Sequence, residues 1–239
     1  MIKDNLKAVE RQIQEACDKA GRKRGDVRLL AVSKTHPVET ILEAYNANVR
    51  CFGENRVMEL KEKTAALPKD IEWHLIGHLQ HNKVKAAVQN AHWIHSVDSM
   101  ELLERINAEA AKMGRTPLLL LEVNVSGEQS KFGLAPEQVL KVAEAAVVAE
   151  RNGGCPLRGL MTMAPLGADE AMLHQVFGGL RELRDTLEER LEVVLPELSM
   201  GMSGDFPVAI AEGATIVRVG TAIFGAREYP VTEEGGGNP

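Results

Sequence analysis

A lysine stands at the end of a short apolar segment near the beginning of the chain. Residues 29–37 read LLAVSKTHP, and their apolar part predicts a buried strand that ends beside Lys34. A lysine in this position usually extends its amine into solvent and has no further role. Partial burial, however, lowers the pKa of a lysine amine and makes it a nucleophile. Other parts of the sequence must decide between these two interpretations.

Two segments near the other end of the chain have the composition of a phosphate site. They read SMGMSGD (199–205) and RVGTAIFG (218–225). Small residues let backbone N–H groups approach an anion, Ser203 and Thr221 add hydroxyl groups, and a helix N-terminus adds partial positive charge. Each glycine taken alone is explained equally well as a turn residue. The set together favours phosphate binding.

A lysine amine that faces a phosphate site suggests pyridoxal 5'-phosphate (PLP), whose aldehyde forms a Schiff base with a primary amine. Arg218 agrees with this interpretation. A guanidinium only donates hydrogen bonds, so a pyridine nitrogen opposite Arg218 would have to stay unprotonated. An aspartate there would instead strengthen the ring as an electron sink. Arg218 therefore predicts a weakly activated cofactor, and an ordinary ion pair is the alternative.

The pattern of strands and helices predicts how these residues meet. Eight strand–helix alternations follow an amphipathic helix at 2–20, which favours an α/β fold with a single (β/α)8 TIM barrel over residues 1–229 and an extra N-terminal helix. An open doubly wound sheet is the alternative fold. Residues 230–239, which include the Gly-rich VTEEGGGNP end, are expected to form a flexible tail. Because loops converge at the C-terminal ends of barrel strands, one rim would carry Lys34, Asn55, His74, Met163, Ser203, Arg218, Gly220 and Thr221.

Composition excludes several classes of partner. The formal net charge is −6 with both signs interspersed, which argues against nucleic acid. The N-terminal segment is charged throughout, and no apolar run approaches the ~20 residues of a membrane span. Cys17, Cys51 and Cys155 form no C-x-x-C pair, which argues against disulfides and a thiolate zinc site and favours the reducing cytoplasm.

Five segments together carry a family resemblance. They read LLAVSKTHP, FGENRVMEL, WHLIGHLQHNKVK, GLMTMAP and LSMGMSGDFPVAIAEGATIVRVGTAIFGARE. The combination resembles the YggS/PROSC (PLPBP) family of PLP homeostasis proteins, which is related in fold to the N-terminal barrel of alanine racemase. The match runs from about Val27 to Glu228. His36 and Leu75 depart from the usual pattern, and neither is expected to touch the cofactor.

The resemblance implies a role for most of the predicted cofactor-binding residues. Lys34 would carry the Schiff base, and Arg218 would face the ring nitrogen. The phosphate would be held by Ser203, Gly204, Gly220 and Thr221, and Asn55 would lie beside the ring. Met163 and His74 complete the set predicted to contact PLP.

Three functions remain open at this point. The first is a non-catalytic PLP carrier or buffer in intracellular PLP homeostasis, with apo PLP enzymes as recipients and a monomer as the expected state. The second is a PLP-dependent amino-acid racemase, but its second base is hard to find, because the only tyrosines are Tyr45 and Tyr229. The third is a sugar-phosphate enzyme that uses Lys34 differently. We favour the carrier, and we expect no metal site, since the spacing of His74 and His78 does not pair them on a helix.

Overall fold

Eight parallel strands close into a barrel in this computed structural model, which describes residues 1–128 and 132–225. The strands are β1 (Arg28–Val32), β2 (Cys51–Glu54), β3 (Glu72–Leu75), β4 (Trp93–Val97), β5 (Leu118–Glu122), β6 (Leu157–Met161), β7 (Glu197–Met202) and β8 (Ile216–Val219). Each pairs with the next, and β8 pairs with β1 with Leu30 opposite Arg218. The predicted (β/α)8 barrel is therefore confirmed, and the alternative of an open sheet is wrong.

Helices cover the outside of the barrel. Within the described residues they are α1 (Ile2–Lys19), α2 (Val38–Asn46), α3 (Val57–Ala66), α4 (Val84–Asn90), α5 (Met100–Met113), α6 (Pro136–Arg151), α7 (Glu170–Leu191), α8 (Phe206–Ala211) and α9 (Thr221–Phe224). None of these helices is long and apolar enough to cross a membrane. Residues 226–229 of the predicted domain and the predicted tail at 230–239 lie outside the described residues.

The extra N-terminal helix, α1, packs against the last two helices. Its buried face includes Leu6, Val9 and Ile13, whose spacing of three and four residues is that of an amphipathic helix. The Asn5 side chain donates a hydrogen bond of 2.8 Å to the carbonyl oxygen of Ile223. Arg22, just after the helix, donates to backbone carbonyls at the end of α8 and beyond it. The helix thus supports the two βα units that carry the predicted phosphate site.

Side chains inside the barrel divide into an apolar and a polar part. Alternate residues of a strand point to opposite faces, so every second residue of each strand points inward. The apolar part is a small cluster of Trp93, Leu120 and Met161. The polar part consists of buried side chains from four strands, namely His74, His95, Ser199 and Arg218. A polar interior is costly unless each group is hydrogen-bonded, so the partners of these four residues matter.

Candidate functional site

The turn that carries Lys34 is held in place by a buried ion pair. Lys34 is half-buried and follows β1 by two residues. Lys63 of α3 donates to the carbonyl oxygen of Ser33 (2.9 Å) and to Glu54 Oε1 (2.7 Å), and the Ser33 hydroxyl donates to the same carboxylate oxygen (2.6 Å). Thr35, on the other side of Lys34, has a positive φ of 68°, which is costly for a residue with a side chain. Neighbouring β2 and α3 thus fix the backbone on the N-terminal side of Lys34.

The loops after β7 and β8 lie side by side at the same end of the barrel. The register of β1 and β8 pairs Ala31 with Val219, which brings Gly220 next to Val32. A Cβ atom added at Gly220 would lie 3.0 Å from the Val32 carbonyl oxygen, so a side chain there would press on this backbone. The Gly220 N–H points to the Ser203 hydroxyl at 3.4 Å. Gly220 and Lys34 therefore share one rim.

Open space adjoins this pair of loops. A Cβ atom added at Gly204 would meet no atom within 4 Å. Thr221, the first residue of α9, directly follows Gly220. The Gly220 N–H and the Ser203 hydroxyl, both predicted to bind phosphate, are thus close together, with Thr221 next in the chain and open space at the Cβ position of Gly204.

Arg218 lies inside the barrel just below this rim. It sits one residue before the end of β8 and is 4% exposed. Its guanidinium donates from Nη1 to Ser199 Oγ (2.8 Å) and from Nη2 to the Thr162 carbonyl oxygen (2.9 Å). Burial lowers the pKa of Arg218 to about 10, which leaves it charged at neutral pH, and the negative charge of Glu122 opposes that shift. Arg218 is a fixed buried cation.

Glu122 is a candidate site residue that the sequence reasoning missed. It ends β5, is 3% exposed, and its Oε2 atom has no hydrogen-bond partner among the described residues. Burial raises the pKa of Glu122 to about 7, and the nearby Asp98 raises it further, against the effect of Arg218. A buried oxygen without a partner is costly in a folded protein and needs an explanation, which makes Glu122 a candidate site residue. The signal was present in the sequence, since LLLLE ends an apolar strand as LLAVSK does.

The other predicted residues fall in different layers. Asn55 is half-buried after β2, and its carbonyl oxygen would lie 2.3 Å from a Cβ atom at Gly77, so the loop after β3 packs tightly on it. Met163 lies two residues beyond the end of β6, at the rim, and is 36% exposed. His74 is fully buried inside the barrel, and both of its ring nitrogens are hydrogen-bonded. Its role as a cofactor-binding residue stays a prediction, with no ring nitrogen left for the cofactor.

A second polar cluster lies at the opposite, N-terminal end of the barrel. There Cys51, Glu72 and His74 bring one ligand-type atom each within 4.8 Å of one another, which the spacing in sequence did not indicate. The Arg28 guanidinium lies 3.4 Å from Glu72, and burial raises the pKa of Cys51 to about 11. A protonated thiol beside a guanidinium is a poor cation site. The expectation that this chain holds no metal stays a prediction.

The residues at the rim fit PLP on chemical grounds. They offer an amine, a buried guanidinium, N–H and hydroxyl groups beside open space, and an unpartnered carboxyl oxygen. A model of the family described as "Alanine racemase, N-terminal domain" matches residues 5–228. A pyridoxal phosphate homeostasis protein of Aquifex aeolicus is 44% identical over 227 residues, which cover 95% of this chain and 98% of that protein. The chain belongs to the pyridoxal phosphate homeostasis protein family.

Solved structures agree with membership of the pyridoxal phosphate homeostasis protein family. PipY of Synechococcus elongatus PCC7942, solved with PLP bound, is 39% identical and superposes with a TM-score of 0.79 over 94% of this chain and 100% of PipY. An alanine racemase of Clostridium difficile 630 has a TM-score of 0.72 but is 17% identical, and 58% of its chain is covered. That likeness shows a shared barrel fold alone. The family predicted from the five segments is confirmed.

Proposed function

We propose that this chain binds PLP reversibly at the C-terminal rim of the barrel and serves in PLP homeostasis as a carrier. The observation that carries the proposal is that Lys34 and Gly220, 186 positions apart in sequence, lie on one rim because β1 and β8 are neighbours. The name of the curated relatives and the PLP bound to PipY support the same role.

Each residue at the rim has a defined task. PLP supplies an aldehyde that condenses with a primary amine and releases one water molecule. Lys34 provides the amine, and Ser203, Gly204, Gly220 and Thr221 donate to the phosphate. Arg218, fixed by Ser199 and Thr162, presents a donor to the ring nitrogen and keeps it unprotonated. Met163 and Asn55 line the edges of the ring.

A non-catalytic role is favoured by the positions of the tyrosines. Tyr45 lies near the end of α2, where its hydroxyl donates to the Asp70 carboxylate at 2.9 Å, and helices of a (β/α)8 barrel run back toward the N-terminal ends of the strands. It is therefore far from the rim, while Tyr229 lies outside the described residues. A racemase needs a second base on the other ring face, and Tyr45 cannot supply it.

The proposed carrier works as a cytoplasmic monomer that passes PLP to other proteins. One chain supplies the amine, the guanidinium and the phosphate donors, so a monomer suffices for binding. Cys17, Cys51 and Cys155 are all free thiols, which suits the reducing cytoplasm. Apo PLP enzymes are the proposed recipients.

Titration of the purified protein with PLP tests the proposal. The wild type is expected to develop an absorbance band near the visible edge that borohydride abolishes, with the reduced adduct mapping to Lys34. Lys34→Ala should show no band, whereas the exposed Lys112→Ala control on α5 should behave as wild type. Protein that stays colourless with PLP would refute PLP binding. Racemisation of alanine at ordinary enzymatic rates would refute the carrier role.

A further inference from the structure

A continuous chain of hydrogen bonds runs through the barrel interior from its N-terminal end to Arg218. Glu72 Oε1 lies 2.9 Å from His74 Nε2, and His74 Nδ1 lies 2.9 Å from His95 Nε2. His95 Nδ1 lies 3.0 Å from Ser199 Oγ, which accepts from Arg218 Nη1 at 2.8 Å. His74, His95 and Ser199 are 0% exposed. We call these five residues the interior chain.

The two ends determine the position of every proton in the interior chain. Arg218 can only donate, so Ser199 Oγ accepts from it. The Glu72 carboxylate can only accept, so a neutral His74 donates to it from Nε2 and accepts on Nδ1. A neutral His95 then donates from Nε2 to His74 and accepts on Nδ1 from the Ser199 hydroxyl. All four donors point in one direction, from the arginine to the glutamate.

The opposite arrangement is unfavourable. It would place the lone pair of His74 Nε2 against the Glu72 carboxylate, or it would place a positive charge on a fully buried ring. Burial lowers the pKa of His74 and holds the pKa of His95 well below its usual value. The hydrogen bond from His74 lowers the pKa of Glu72 to about 2. Both rings are therefore neutral at physiological pH, and Glu72 is charged.

Charged neighbours stabilise both ends of this arrangement. At the glutamate end, the Arg28 guanidinium lies 3.4 Å from Glu72 and 3.5 Å from Glu197, and the Cys51 thiol donates to Glu72 at 3.6 Å. The Trp93 ring stacks on His74. At the arginine end, the carboxyl groups of Glu122 and Asp205 act on Arg218.

We propose that Glu72, His74, His95 and Ser199 are positioning residues that fix the Arg218 guanidinium for its contact with the PLP ring nitrogen. The ring contact rests on the function proposed above, whereas the direction of the hydrogen bonds does not. A carboxylate at one end of the barrel thus controls the donor geometry at the cofactor site on the other. Breaking the chain far from PLP should change the environment of the ring.

The proton positions can be measured without PLP. In ¹⁵N NMR spectra of the labelled protein, His74 and His95 are expected to be neutral with the proton on Nε2 at pH 7 and pH 8. A proton on Nδ1 of either ring, or a charged ring, would overturn the inference even if PLP binds. Failure of the wild type to bind PLP would refute the proposed function and the proposed contact with the ring. The NMR result would still test the proton positions in the interior chain.

Two pairs of variants test the effect on the cofactor. Ser199→Ala removes the central link, and we expect PLP to bind at least 10-fold more weakly with a displaced absorbance band; Ser199→Thr keeps the hydroxyl and should restore the wild-type band. At the far end, Glu72→Ala should shift the His95 ring signals and weaken PLP binding about 3-fold or more. Glu72→Gln keeps an acceptor oxygen and should preserve the proton positions.

The control is Glu197→Gln, since this carboxylate contacts Arg28 at the same end but lies outside the interior chain. It should leave the His95 signals and the PLP band unchanged. If Ser199→Ala does not fold, the half-exposed Glu72 position carries the test. Glu72→Ala with wild-type His95 signals and a wild-type band would overturn the inference.

Discussion

Replacing Lys63 by methionine should destabilise both the fold and the cofactor site. Lys63 and Glu54 are 8% and 0% exposed in their side chains, and the ammonium also holds the Ser33 carbonyl beside Lys34. Removing one partner of a buried ion pair leaves an uncompensated charge and typically costs 3–5 kcal/mol. Because Ser33 still donates to Glu54 and the carboxyl can take up a proton, we expect the lower end, about 3 kcal/mol. Urea unfolding at pH 8 measures this free energy.

The same variant has a predictable pH dependence. Without Lys63, the pKa of the buried Glu54 carboxyl in the folded protein lies above its unfolded pKa of about 4.3. The variant therefore loses stability as the pH rises through the folded pKa of Glu54. The deficit relative to wild type should therefore be smaller at pH 5 than at pH 8. Adding Glu54→Gln to Lys63→Met should recover most of the lost unfolding free energy. In Lys63→Met alone, PLP affinity should fall, because the backbone at Ser33 and Lys34 is no longer held in place.

Lys112→Met provides the matched control for Lys63→Met. Lys112 forms an exposed pair with Glu109 at 2.7 Å, and such surface pairs contribute about 0.2–1 kcal/mol. A Lys63→Met protein whose unfolding free energy and PLP affinity match those of the Lys112→Met control would refute the assigned role of the buried pair.

Two further predictions concern the rim. Glu122→Gln should stabilise the protein at pH 8 by about 1–3 kcal/mol, because a carboxyl whose folded pKa is raised to about 7 destabilises the fold progressively as the pH rises from its unfolded pKa of about 4.3 to 7. Thermal unfolding should show this gain vanishing by about pH 4, below the unfolded pKa, and a gain that persists there would contradict the assignment. Gly220→Ala should lower the unfolding midpoint, since its Cβ would press on the Val32 carbonyl 3.0 Å away. Gly204→Ala should leave the unfolding midpoint unchanged, because its Cβ atom would meet no protein atom within 4 Å. It should weaken PLP binding, because the Cβ atom would occupy space proposed for the phosphate. Equal unfolding midpoints for Gly220→Ala and Gly204→Ala would refute this contrast.

The sequence predicted the fold and much of the rim because both depend on local signals. Strand ends are visible where an apolar run meets a polar residue, as at Lys34 and Arg218, and a barrel brings such ends together. The same signal at Glu122 was present and was overlooked. His74 was assigned to the rim because its strand was recognised, but the pleat and the register place its ring inside the barrel.

The interior chain could not be predicted from the sequence. His95 and Ser199 are 104 positions apart, and their hydrogen bond crosses the inside of the barrel between β4 and β7. Which inward side chains meet there depends on strand stagger and on the register shifts beside Ile94 and Ser199. Those shifts leave no pattern in a single sequence that separates them from regular strands.

The pairing of the first strand with the last has a consequence for biosynthesis. Lys34 is translated before the backbone at Gly220 that would hold the phosphate, and the two come together only when β8 pairs with β1. A nascent chain would therefore lack the proposed phosphate donors until this pairing has formed. Under the proposed function, the absorbance band of bound PLP would appear only after the barrel has closed, so it would serve as an assay for folding.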